Sequence, residues 1–182
     1  MGARLTGLLV CMMIVMHTSA QQVELGERQG LLQATGSLYP GWMLNHNVRN
    51  NYVGGHFAYY FDDHYSFRGE FLGYVDAQTD EKYIKKHLQV QAGFGRHFPV
   101  KRWDPFVYAQ MGLSGIELQG STEAHLRPNV GFVAGANYNV SRFFYFYAEC
   151  SFMHMKDPER INNLDQLLVT AGLGFQISTK KK

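Results

Sequence analysis

From about residue 33 onward, apolar residues alternate with polar or very small ones at a period of two. The last stretch shows it most cleanly. Leu167, Val169, Ala171, Leu173, Phe175 and Ile177 take one parity, against Leu168, Thr170, Gly172, Gly174, Gln176 and Ser178 on the other. Around residue 130, Val130, Phe132, Ala134, Ala136 and Tyr138 oppose Asn129, Gly131, Val133, Gly135 and Asn137. Phe144, Phe146, Ala148, Cys150 and Phe152 oppose Tyr145, Tyr147, Glu149 and Ser151. Earlier, Tyr65, Phe67, Phe71 and Val75 oppose Ser66, Arg68, Glu70 and Tyr74. Successive side chains of a strand point to opposite faces, so this period predicts strands with one face against an apolar phase.

Eight such segments are expected, near 33–45, 51–61, 65–76, 86–98, 104–116, 127–138, 143–154 and 166–178. They exceed the ~5–6 residues usual in globular strands and meet the ~9–11 that a tilted strand needs to cross a bilayer. Connections such as Asp62-Asp63-His64 and 139–142 are short, and those at 77–85, 117–126 and 155–165 are longer. Short turns at one end and long loops at the other are the habit of membrane barrels.

The small residues fix which face points inward. Gly93, Gly95, Gly112, Gly131, Gly135, Gly172 and Gly174 all fall on the polar faces. An eight-stranded lumen leaves little room for side chains, whereas glycine on a solvated face would only weaken a strand. The expected fold is therefore all-β, an eight-stranded antiparallel up-and-down transmembrane β-barrel. Tyr39, Trp42, Tyr59, Tyr60, Phe61, Tyr65, Phe98, Trp103, Phe106 and Tyr138 lie near segment ends and are expected to form its interfacial aromatic girdles. The alternative inverts the faces, giving a soluble periplasmic or secreted lipocalin-like barrel around an apolar ligand.

The amino terminus is of another kind. Arg4, an apolar run to Met16 and Thr18-Ser19-Ala20 have the parts of a secretory signal peptide. The expected organisation is a signal peptide at 1–20, a lead-in at 21–32, the barrel at 33–178 and a basic tail at 179–182. Without residues 1–20 only one of the two cysteines, Cys150, remains, so no intrachain disulfide can form. The 17 Lys and Arg lose only Arg4 and face 15 Asp and Glu, a near balance that argues against nucleic acid as a partner.

Taken together, these segments and the endings Gly93-Phe94-Gly95 and Gly172-Leu173-Gly174-Phe175 resemble the small outer-membrane β-barrels of Bacteroidota-type bacteria. More loosely, the chain is similar to OmpX-like eight-stranded barrels. The resemblance implies an outer-membrane location, membrane lipid as surroundings, the barrel-assembly machinery as a folding partner, and a structural, adhesive or envelope-maintenance role. The ending Lys180-Lys181-Lys182 departs from the terminal aromatic that many such barrels carry.

Inward placement would gather His56, Arg68, Glu70, Gln89, Gln91, Tyr108, Gln110, Tyr147, Glu149 and Gln176. Arg68 is expected to pair with Glu70 or Glu149, because charges in a confined lumen must be paired or hydrated. Glu149, Ser151 and His154 are the nearest approach in sequence to a catalytic triad, but alternation turns His154 away from the other two. No catalytic residue, cofactor site or metal site is expected, since the histidines are dispersed and lack ligand spacing. The loops at 76–86 and 156–165, rich in both charge signs, are the place for an extracellular or envelope protein ligand.

Overall fold

The computed structural model describes residues 28–46, 48–77, 83–120, 123–156 and 163–180. The expected signal peptide and most of the lead-in lie outside them. Nine strands follow one another: β1 (Leu31–Thr35), β2 (Ser37–Met43), β3 (Val48–Tyr60), β4 (Tyr65–Ala77), β5 (Ile84–His97), β6 (Trp103–Leu118), β7 (Ala124–Asn139), β8 (Phe144–Met155) and β9 (Gln166–Ser178). Every pairing is antiparallel.

β1 and β2 both lie between β3 and β9, so they form one stave interrupted at Gly36. The remaining strands run in sequence order and the ladder closes on itself, giving eight staves without a free edge. Closure has a physical cause in hydrocarbon, where each unpaired amide or carbonyl would cost several kcal/mol. The first stave starts at Leu31, two residues inside the expected lead-in, and most other strands extend the sequence-based spans at one end or both.

The faces have the orientation of a membrane barrel. Phe94, Met111, Phe132, Phe146 and Phe175 are exposed outside, while Ser66, Arg68, Gln91, Asn129 and Glu149 are buried inside. The inverted, lipocalin-like arrangement is thereby ruled out. Among the described residues, no helix is long and apolar enough to cross a membrane. One correction concerns the aromatics. Tyr39, Tyr60 and Phe106 were expected in the girdles but are buried in the lumen, because the inward parity continues to the strand ends. Tyr59, Phe61, Tyr65, Phe98 and Trp103 remain outside at the short-turn end, where Arg96 lies over the rings of Tyr65 and Phe98.

Inward glycines have a more specific role than relief of general crowding. Tyr145 faces Gly174 across the β8–β9 ladder, and Gly95 faces Tyr108 across β5–β6. A Cβ at Gly174 would stand 2.3 Å from Cζ of Tyr145. The glycine thus makes space for a neighbouring ring that lies flat along the wall. Gly174→Ala is expected to cost about 1–3 kcal/mol through overpacking, read as a lower urea midpoint in micelles. The control is Gly115→Ala, where a Cβ would meet nothing within 4 Å and the midpoint should hold.

The turn at 61–64 is held by Asp62, whose Oδ1 accepts the backbone N–H groups of His64 at 2.7 Å and Tyr65 at 2.8 Å. Those two donors hold its carboxyl below the usual range.

Candidate functional site: the filled lumen

Three layers of inward side chains close the barrel from one end to the other. At the short-turn end Asp104 is the hub. Its Oδ1 meets the Arg28 guanidinium at 2.7 Å, and its Oδ2 faces Nδ1 of His97 at 2.9 Å and accepts the Tyr60 hydroxyl at 3.0 Å. Gln33 links Tyr60 to Gln176, its Oε1 lying 3.2 Å from the Tyr60 hydroxyl and its Nε2 donating to Gln176 at 3.0 Å.

In the middle layer Arg68 donates from Nη1 and Nη2 to both oxygens of Glu149, each at 2.7 Å, and from Nη2 to Glu70 at 3.1 Å. The sequence left the choice between the two carboxylates open, and the geometry uses both. Two different causes place these groups: Arg68 and Glu70 are two residues apart on β4, and Glu149 arrives from β8 across the lumen. His56 Nδ1 faces Thr35 Oγ1 at 3.0 Å, and its ring packs edge-on to Tyr147.

All ten residues expected inside are buried: His56, Arg68, Glu70, Gln89, Gln91, Tyr108, Gln110, Tyr147, Glu149 and Gln176. They do not form one network, however. Gln91 joins Asn129 at 2.6 Å and through it Ser114, Gln176 belongs to the short-turn layer, and Tyr108 meets Ser66 at 2.5 Å.

At the long-loop end the lumen changes character. Met43, Val48, Ile84, Ile116, Leu118, Met155 and Leu164 are buried together, with Tyr74 and Tyr83 against them. Beneath this apolar plug, Tyr52, His87 and Gln166 form a polar shelf, with the Tyr52 hydroxyl 3.1 Å from each of the other two.

Sequence reading missed two groupings. Ser66 Oγ lies 2.9 Å from His97 Nε2, and His97 Nδ1 lies 2.9 Å from Asp104, the connectivity of a Ser-His-Asp triad. Ser66, His97 and Asp104 come from β4, β5 and β6, with no spacing in sequence that announces them. Ser66 and His97 have no exposed surface, and the Tyr108 hydroxyl sits on the same nitrogen at 2.8 Å. A nucleophile so enclosed has no approach for a substrate carbonyl, so the array acts as packing. The sequence-level trio of Glu149, Ser151 and His154 is indeed split, with His154 bound to Asp165 at 2.6 Å.

The second grouping is His56, Glu70 and Glu149, which bring potential metal-ligand atoms within 4.8 Å of one another. The guanidinium of Arg68 already occupies both carboxylates there, so a divalent ion would have to displace a bidentate pair.

A closed antiparallel barrel with an apolar exterior, a packed polar interior and its first and last described strands opening and ending at the short-turn side is an integral membrane protein of the outer-membrane class. The family model described as the outer membrane protein beta-barrel domain matches residues 7–176, and the chain belongs to that family. Its short turns therefore face the periplasm and its long loops the exterior. Solved structures agree on the fold. The chain is similar to Neisserial surface protein A at 13% identity, covering 84% of this chain and 99% of that one with a TM-score of 0.65. It is also similar to OprG of Pseudomonas aeruginosa, at 12% identity, 85% and 99% coverage and a TM-score of 0.64. The attachment invasion locus protein Ail of Yersinia pestis, in complex with the heparin analogue sucrose octasulfate, matches at 15% identity, 82% and 99% coverage and a TM-score of 0.53. No curated protein matches the chain.

Proposed function

We propose that this protein is a non-enzymatic scaffold of the outer membrane, closed to solutes, whose work is structural, adhesive or envelope-maintaining and is done by its outward loops. The observation behind this reading is the filling of the lumen along its whole height, by the Asp104 layer, the Arg68 layer and the apolar plug. Nothing the size of a nutrient can pass side chains packed in that way. Ail, seen with a heparin analogue, makes sulfated polysaccharides sensible first ligands to try on the loops.

The same proposal includes export by the segment at 1–20, folding by the barrel-assembly machinery, and a structural role for the ten lumen residues. A likeness to the small barrels of Bacteroidota-type bacteria also belongs here, resting on the signal-like segment, the eight alternating segments and the glycine–aromatic endings Gly93-Phe94-Gly95 and Gly172-Leu173-Gly174-Phe175.

Planar lipid bilayers give the test. The purified barrel should insert without discrete conductance steps at any voltage that the membrane survives. Regular open-channel steps from the refolded protein would reject the closed-scaffold reading.

A further inference from the structure

Among the described residues, the buried charges of the lumen do not balance. At the short-turn end Arg28 answers Asp104 at 2.7 Å. In the middle layer Glu70 and Glu149 face one guanidinium, that of Arg68. All three are buried, and a charge held away from bulk water must be paired. Glu149 takes the two short bonds from Arg68, each 2.7 Å, while Glu70 has one contact with it at 3.1 Å. The uncompensated negative charge therefore rests on Glu70. His56 is poorly placed to answer it as a cation, because its Nδ1 faces Thr35 Oγ1 at 3.0 Å and stands 3.7 Å from Glu149 Oε1, too far for a hydrogen bond.

Oxygen atoms without partners converge on the same place. His56 and Glu70 are cross-strand neighbours on β3 and β4, and with Glu149 they bring one ligand atom each within 4.8 Å of the others. Gln110 lies against Glu70 and is 5% exposed, yet among the described residues neither atom of its amide has a hydrogen-bond partner. Its direction is set by Gly93, which separates it from Arg68 in one cross-strand row. A Cβ at Gly93 would stand 2.8 Å from Cγ of Gln110, so the Gln110 side chain leans over the glycine towards the ion pair. The hydroxyls of Tyr39 and Tyr147 are also buried without a partner among the described residues. Tyr39 lies in the field of both carboxylates, and Tyr147 packs against the His56 ring.

We propose that the middle layer is a binding site for one sodium ion, held by Glu70, Glu149 and the side-chain carbonyl of Gln110. The charge fits, since one positive charge is missing and a divalent ion would have to displace Arg68 from its carboxylates. The donors fit, since hard cations take several oxygen ligands at once, carboxylates and amide carbonyls among them. A proton on Glu70 would restore the charge but give a hydrogen bond to one acceptor only. Water would bond the unpartnered oxygens but bring no charge. The ion enters as the chain folds around it and stays, so the site asks for no passage through the lumen. It stands apart from the closed-scaffold reading, because a barrel that conducted would leave the measurement below unchanged.

The test uses the full mature chain refolded into neutral maltoside micelles at constant ionic strength, with either sodium or N-methylglucamine as the only added cation. Between N-methylglucamine and about 0.15 M sodium, the folded-to-unfolded ratio at a fixed urea concentration should rise about tenfold, as linkage requires for a site about tenfold tighter than that concentration. The rise should saturate as sodium replaces N-methylglucamine. Glu70→Gln removes the surplus charge and should abolish the sodium effect. Gln110→Leu keeps every charge, removes one ligand oxygen and should weaken the effect at least threefold. Folding of both variants is read from heat-modifiable gel migration. The proposal is overturned by equal ratios in the two cations, or by a sodium effect that survives both substitutions. A ratio that follows pH alone, with the two cations equal at every pH, would also overturn it, by making a proton the missing charge.

Discussion

Glu149→Ala is expected to destabilise the refolded barrel by about 3–5 kcal/mol, the usual penalty for leaving one partner of a buried ion pair alone. Arg68 is 1% exposed and has its two best hydrogen bonds, both 2.7 Å, with Glu149. Glu70 at 3.1 Å cannot replace them, since it already bonds the same Nη2. The measurement is the urea midpoint of folding into micelles, followed by heat-modifiable migration.

A second variant separates the pair's own value from the cost of breaking it. Arg68→Met/Glu70→Gln/Glu149→Leu removes all three charges and should recover most of the loss, because well-packed apolar groups often match a buried ion pair. If Glu149→Ala unfolds at the wild-type midpoint, the middle layer is hydrated and the charges are not confined. A triple variant as unstable as Glu149→Ala would instead show that the charges are themselves stabilising.

The second large effect lies on the opposite side of the wall. Met111 stands midway along β6 and is 72% exposed. Met111→Arg should cost about 2–4 kcal/mol in phospholipid vesicles, the depth-dependent penalty for a cation at the middle of a bilayer. Val100→Arg, exposed in the turn between β5 and β6, should cost about 0–1 kcal/mol because the headgroup region solvates it. In water both sites would tolerate arginine within about 0.5 kcal/mol, as exposed positions generally do. Equal and small losses at the two positions would therefore contradict a membrane-spanning outer face.

These two experiments probe features that were readable to different degrees. Alternation places Arg68, Glu70 and Glu149 inside and, by turning Tyr108, Gln110 and Gly112 inward, leaves Met111 outside, because the period of two is a property of the backbone itself. It could not choose between Glu70 and Glu149 for Arg68. That choice depends on the stagger between β4 and β8, which share no ladder. The Ser66–His97–Asp104 array was hidden for a related reason. It joins three adjacent strands through registers that are set by turn geometry and packing rather than by residue spacing. Residue chemistry and position misled at the rims, where Tyr39, Tyr60 and Phe106 obey the inward parity although aromatic rings near strand ends suit a girdle.

By itself the sequence determined the strand class, the sense of the two faces and the inward glycines, since each follows from local geometry and the volume of a narrow lumen. Only the tertiary structure decided which inward groups touch, and that the first stave breaks at Gly36. It alone placed an apolar plug beneath the outer loops and ended the β4–β5 ladder at Gly73 and Leu88. Those outcomes depend on barrel stagger and closure, which sum small local twists over all eight staves and so cannot be read from any one segment.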